Sequence, residues 1–280
     1  MKTGMNLLLW TGHVTEEHYK IMKDIKDAGF DGAEIPVFDT TVDHYKKVRK
    51  ELDNLGLKCT VVTIVTPEAN PISPDAAVRQ AAVDRLRTTI DCCQALGAEN
   101  MLGPFHSPLA VFSGVPPTED EKLRAADVLR KAAEHAAKAK VQLCIEYLNR
   151  FECYFLTTAA DAVALCQRVN HPSFKTMYDT FHAHIEEKDP AEALRACADV
   201  LVHIHLSEND RSTPGAGQIA WDETFAGLDE IGYDGWIVIE AFGDALPELA
   251  GATKIWRRMF ESEEQLARDG AAFIRGKLTS

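Results

Sequence analysis

Short apolar runs of four to eight residues alternate along the chain with longer stretches in which apolar side chains recur every three or four positions. The runs fall at 3–9, 32–35, 58–65, 98–102, 141–146, 174–179, 201–206 and 235–240, and are rich in Val, Ile and Leu. They predict eight buried strands. Between them, helical periodicity covers about 16–28, 41–54, 74–96, 118–139, 157–169, 190–197 and 221–231, and 247–276 is mostly helical. Gly29, Gly56 and Gly97 stand where three of these helices must stop. Thr15 is placed to cap the first helix, but His18 stands where a capping box wants Glu or Gln, so the box reads as incomplete. The segment 103–120, punctuated by Gly and Pro, is long enough to predict a functional loop or lid.

Strand and helix therefore alternate eight times with no compositional break. The pattern predicts an α/β protein, a (β/α)8 TIM barrel formed as one domain over 1–280 with a C-terminal helical segment at about 247–276. A doubly wound sheet is the competing architecture, but no GxGxxG follows the first strand, and no nucleotide cofactor is expected. Barrel closure would bring all eight strand exits to one mouth. Four of these exits carry ionisable groups: Glu146 in LCIEYLNRFE, Asp179 in KTMYDTFHAH, His205 in VLVHIHLSENDR and Glu240 in WIVIEAF.

Charge and cysteine content narrow the partners. A formal net charge of −13 argues against a broad nucleic-acid surface, and no apolar run reaches membrane-spanning length. The apolar stretch near the N-terminus is too short for a secretory signal and reads as the first strand. Seven cysteines, an odd number without a CxxC pair, predict buried thiols in a reducing cytoplasm.

Three carboxylates and an imidazole form a hard-to-borderline donor set for Mn²⁺, Mg²⁺, Co²⁺ or Zn²⁺, with coordination positions left for a substrate. His182 and Arg211 follow two of these strands and can donate hydrogen bonds to a hydroxylated or carbonyl compound. His203, two residues before His205, points to the same side of its strand but deeper, as a residue that supports the donors. Glu34 and His106 are further mouth-facing candidates, and Trp10, Phe105 and Phe242 belong to an aromatic population that could wall a sugar pocket.

Four segments, IEYLNRFE at 145–152, YDTFHAHIEE at 178–187, HIHLSENDRSTPGAGQIAW at 203–221 and IVIEAF at 237–242, resemble the D-tagatose 3-epimerase family. That family includes D-psicose (allulose) and L-ribulose 3-epimerases and lies within the xylose-isomerase-like superfamily. The resemblance implies one divalent ion per subunit, commonly Mn²⁺ with Co²⁺ or Mg²⁺ as substitutes, held by Glu146, Asp179, His205 and Glu240. It implies that Glu146 and Glu240 exchange the C3 proton of a free ketose from opposite faces, that Glu152, His182 and Arg211 bind the substrate, and that the protein is a homodimer or homotetramer. NLLLWTG after the first strand and FHSPLAVFSG after the fourth depart from the more familiar psicose-epimerase pattern, which leaves L-ribulose, D-ribulose, D-tagatose and D-allulose all as substrate candidates. The alternatives are a metal-dependent aldose–ketose or hydroxypyruvate-type isomerase and a noncatalytic sugar-binding barrel.

Overall fold

A computed structural model describes residues 1–279 of the 280. Eight parallel strands, β1 (Lys2–Asn6), β2 (Gly32–Pro36), β3 (Lys58–Val62), β4 (Asn100–Gly103), β5 (Gln142–Ile145), β6 (Phe174–Asp179), β7 (Leu201–Leu206) and β8 (Trp236–Ile239), close into a barrel in chain order, with β8 pairing back onto β1. The intervening helices are α1 (Tyr19–Ala28), α2 (Val42–Leu55), α3 (Ala76–Leu96), α4 (Glu119–Ala139), α5 (Ala159–Val169), α6 (Thr180–Glu186), α7 (Pro190–Cys197) and α8 (Trp221–Glu230). After β8 come α9 (Pro247–Thr253) and α10 (Glu263–Leu278). The eightfold reading of the pattern holds. The barrel has no open edge, so every strand satisfies its backbone groups on both sides.

Local chemistry explains where the elements start and stop. Asp75 caps α3 by accepting from the Ala77 N–H at 2.8 Å, and Thr118 and Glu121 form a capping box at the start of α4. The turn before α1 has its box after all, because the Thr15 N–H donates to Nδ1 of His18 at 3.0 Å and the imidazole takes the part of a carboxylate. Extended backbone ends at Asn6 rather than at residue 9: the Asn6 side chain accepts from the Leu8 N–H at 2.9 Å and winds Leu7–Leu9 into a 3-10 turn. The third strand likewise ends at Val62. The helix α6 lacks a strong apolar stripe and starts directly at a strand end, where Asp179 serves as its cap. Helical structure in 247–276 is interrupted after Thr253, where Lys254 takes a left-handed conformation with φ +64°.

Register matters most for the interior. Asn6 lies opposite Glu34, Glu34 opposite Thr60, and Asp179 opposite His205. Side chains from adjacent strands therefore form layers, polar ones near the mouth and apolar ones such as Leu102, Cys144 and Met177 among them. A larger apolar cluster lies between the strands and the helices that surround them.

Gly103, at the end of β4, has φ +123°, and its carbonyl accepts from the N–H groups of Phe105 and Glu146. A Cβ at this position would come within 2.1 Å of the Thr63 carbonyl oxygen. Replacing Gly103 with Ala is expected to destabilise the protein by about 2–4 kcal/mol through strain and forced separation of β3 from β4. Chemical denaturation measures this, and a loss below about 0.5 kcal/mol would contradict it.

Candidate active site

The strand exits Glu146, Asp179, His205 and Glu240 converge. One ligand-capable atom from each lies within 4.8 Å of the other three, close enough to share one ion, and all four side chains are buried. Glu146 follows β5, with its N–H bonded to the Gly103 carbonyl at 3.1 Å, and Glu240 follows β8, with its N–H 3.3 Å from the Leu206 carbonyl. Asp179 divides its two oxygens: Oδ1 caps α6, and Oδ2 accepts from Ser207 Oγ at 3.1 Å and Arg211 Nη1 at 3.0 Å.

His205 is tied on one side only. Its Nε2 lies 2.8 Å from Oε1 of the buried Glu34, whereas Nδ1 has no hydrogen-bond partner and faces Glu240 at 3.4 Å and Asp179 at 3.7 Å. An Nε2–H donated to Glu34 leaves the Nδ1 lone pair pointing into the carboxylates, the tautomer a metal ligand requires. This orphaned nitrogen and the excess of buried carboxylate fit a divalent-metal site of oxygen and imidazole donors.

The electrostatics agree. Burial, reinforced by the neighbouring Glu240, pushes Glu146 well above the usual carboxylate range. Burial also opposes ionisation of Asp179, but Arg211 and then the nearby imidazoles outweigh it and hold this carboxyl below its ordinary value. At His205 desolvation is overcome by Glu240 and Glu34, which favour a positive charge on the ring. The same pull would favour a cation beside its Nδ1.

Arg211 is the permanent cation of the site. Its backbone is left-handed, φ +64°, a strained choice for a non-glycine residue, and its N–H bonds the Glu208 carbonyl at 2.9 Å. The guanidinium lies between the rings of Phe181 and Phe242, 3.9 and 4.9 Å from their centroids, and Nη1 reaches Glu240 Oε2 at 2.9 Å as well as Asp179. His182 is held from both sides: Nδ1 accepts from the Asn149 N–H at 3.1 Å, and Nε2 lies 3.1 Å from Arg211 Nη2 and 3.6 Å from Glu146. Asn149 also donates to Glu152 Oε1 at 2.8 Å.

A cavity of about 680 Å³ opens above these groups. Glu146, Glu152, His182, Arg211 and Glu240 line one part of it, and Leu8, Phe38, Val62, Ile64, Phe242 and Leu249 are among its apolar walls. The other expected wall residues lie elsewhere. Phe105 and His106 are fully buried, with His106 bonded to Ser107 Oγ at 2.8 Å and its pKa lowered to about 3 by burial. Trp10 borders a separate hollow beside Lys20 and Arg268. Glu34 is also wholly buried, beneath the donor set rather than at the mouth. Aromatic identity near a strand exit does not say which side of the turn a ring will face.

Residues missed in the sequence are the ones that hold the donors. Asn6 Nδ2 donates to both Glu34 and Glu240 at 3.0 Å, and Ser207 links Asp179 with Arg211. Glu208, fully buried, gathers the loop after β7 by accepting from the N–H groups of Asn209, Gly215 and Ile219 and from the Trp221 indole. Their strand-exit positions were legible, but small polar residues carry no pattern that distinguishes support from solvent contact.

The family model of xylose isomerase-like TIM barrels matches residues 22–277. A ketose 3-epimerase of Arthrobacter globiformis is 30% identical, the match covering 100% of this chain and 98% of the relative. A D-psicose 3-epimerase of Enterocloster bolteae is 31% identical over 96% of this chain and 92% of its own. A solved L-ribulose 3-epimerase superposes with a TM-score of 0.94 at 29% identity, covering 100% of this chain and 95% of that one. The chain belongs to the ketose 3-epimerase family of xylose-isomerase-like barrels, and is an isomerase with a divalent-metal site.

Saturating a chelator-treated sample with a divalent cation should raise its melting temperature by several degrees, since a ligand at 100 times its Kd adds about 2.7 kcal/mol. Asp179→Asn should lose most of that rise in differential scanning fluorimetry, and an equal rise in both proteins would contradict the fit.

Proposed function

We propose that the protein inverts C3 of free ketopentoses or ketohexoses of the L-ribulose, D-tagatose and D-allulose type, with Glu146 and Glu240 exchanging the proton. The observation that carries this reading is the convergence of two buried glutamates, from β5 and β8, with Asp179 and His205 at the polar part of one cavity. The C3 hydrogen of a ketose is acidified by the adjacent carbonyl, and its removal leaves a cis-enediolate. One glutamate accepts that proton, and the other delivers a proton to the opposite face of C3, so the stereocentre inverts without net oxidation. Two carboxylates on opposite sides do this without either having to cross the substrate. Glu146, Asp179, His205 and Glu240 would hold the cation, Mn²⁺ in preference to Co²⁺ or Mg²⁺. When bound, it supplies Lewis-acid stabilisation of the negative charge that develops on the substrate.

The remaining polar groups hold the sugar. His182 presents its Nε2 edge, Arg211 a guanidinium fixed between two rings, and Glu152 a carboxylate steadied by Asn149, which suits the carbonyl and its neighbouring hydroxyls. Among the described residues lining the cavity, Arg211 is the one permanent cation, and it already serves Asp179 and Glu240. A phosphate dianion would meet Glu152 and Glu248 with no cation to spare.

A homodimer or homotetramer fits the exposed apolar side chains Val111, Phe112, Val115 and Phe151, which lie on two loops joined by the Ala110 N–H to Glu152 carbonyl bond of 2.9 Å. The seven free, buried cysteines fit a reducing cytoplasm.

Metal-loaded protein incubated with ketopentoses and ketohexoses in deuterated water should form the 3-epimer with deuterium at C3, as read by NMR. Aldose without 3-epimer would make the aldose–ketose isomerase the principal activity, and binding without turnover would favour a noncatalytic sugar-binding barrel. Glu240→Gln should reduce turnover by roughly 100-fold or more, and near-normal turnover would remove that residue from proton transfer. Ketose phosphates should be poorer substrates than the free sugars by roughly 100-fold in kcat/KM, because unmatched like charge in a binding site costs several kcal/mol. Equal turnover of both would contradict a site built for neutral sugars.

A further inference from the structure

Beneath the proposed donor set lies a second buried cluster, Glu34, His203 and His205, which the proton-transfer scheme does not use. Glu34 is completely buried at the centre of it. Oε1 accepts from Asn6 Nδ2 at 3.0 Å and lies 2.8 Å from His205 Nε2, while Oε2 accepts from Thr60 Oγ1 at 2.7 Å and lies 3.2 Å from His203 Nε2. Asn6 in turn donates to Glu240 Oε1 at 3.0 Å. Four strands, β1, β2, β3 and β7, meet at this one carboxylate, and no residue of the cluster other than His205 belongs to the upper donor set.

We infer that Glu34 is a positioning residue that keeps His205 in the tautomer with a bare Nδ1 and, through Asn6, holds Glu240 in its working rotamer. This rests on reading the upper site as a metal-dependent epimerase. An ionised carboxylate accepts but does not donate, so a hydrogen bond from His205 to Glu34 requires the proton on Nε2. A neutral side chain at 34 relaxes that requirement, because an amide can turn either its oxygen or its NH₂ toward the ring. The Asn6 orientation follows from the same logic. Its Oδ1 is committed to the Leu8 N–H, so its NH₂ must face two carboxylates, and it fixes one oxygen of Glu240 while Arg211 fixes the other.

The lower cluster is better explained as this support than as a second metal site. Its carboxylate oxygens are already bonded by Asn6, Thr60 and His205, with His203 Nε2 3.2 Å away and making no hydrogen bond, and His203 Nδ1 faces the Asn100 amide at 3.4 Å. Glu34 has no path to substrate, since it does not border the cavity.

The test compares wild type, Glu34→Gln and Thr60→Val. The readouts are the Mn²⁺ dissociation constant and stoichiometry by titration calorimetry, and kcat and KM at saturating Mn²⁺. For Glu34→Gln the dissociation constant should rise 10- to 100-fold at unchanged stoichiometry, and kcat should fall while KM for the ketose stays within about 3-fold. Thr60→Val, which loosens the carboxylate without removing its charge, should weaken Mn²⁺ by a smaller factor, about 3-fold or more. Wild-type Mn²⁺ affinity in a folded Glu34→Gln protein overturns the inference, as does loss of one of two bound equivalents, which would make the cluster a metal site. If Glu34→Gln does not fold, Thr60→Val decides: unchanged Mn²⁺ affinity overturns the proposal and a weakened one supports it. A wild-type protein that binds no Mn²⁺ would instead overturn the epimerase reading on which this inference rests.

Discussion

The molecule is organised by an excess of negative charge kept out of water. Glu34, Glu146, Asp179 and Glu240 are all buried near one end of the barrel, with Arg211 as the permanent cation among them. Burying a carboxylate is costly unless it is paired or bonded. Three of them answer that demand differently: Glu34 through His205 and two neutral donors with His203 close by, Asp179 through a helix start and Arg211, and Glu240 through Asn6 and Arg211. Glu146 has His182 Nε2 3.6 Å away but no side-chain hydrogen bond, and burial reinforced by Glu240 raises its pKa. A cation beside the bare Nδ1 of His205 would complete the balance.

That balance needs a rigid scaffold, because carboxylates free to move would separate or reach for solvent. The closed barrel provides it. Each donor stands at or just beyond the end of a strand whose backbone is bonded on both sides, and the loops behind them are gathered by buried side chains such as Glu208 and Asn149. The strained backbone of Arg211 belongs to the same economy: the Glu208 carbonyl and the rings of Phe181 and Phe242 hold it in a conformation it would not choose alone. Function is thus concentrated where the strands end, as the barrel architecture favours.

The cavity joins two environments. Its polar part holds groups suited to a carbonyl and adjacent hydroxyls, while Leu8, Phe38, Val62 and Ile64 offer no hydrogen bond from their side chains. On the proposed reading, close recognition would be concentrated around the reacting carbons, and the rest of the sugar would meet shape more than specific donors. This division accords with the several ketoses left open by the sequence, whose loops after β1 and β4 depart from the psicose-epimerase pattern and border this region through Leu8, Pro104 and Leu109.

Much of this was present in the order of residues. Eight apolar runs separated by helical periodicity call for parallel strands covered on both faces, and four ionisable residues at matching strand exits favour closing those strands into a barrel, where the four share a mouth. What the chain alone could not decide depends on side-chain direction and register. The pairing of Glu34 with Asn6 on one side and Thr60 on the other sets it below the donors, although its strand-end position reads like that of Glu146. The turns after β1 and β4 take Trp10, Phe105 and His106 away from the cavity they were expected to wall. α6 begins at Asp179 because a side chain caps it, without an apolar stripe to announce it. Periodicity records which face of an element is buried, but hydrogen bonds between distant strands decide what that face touches.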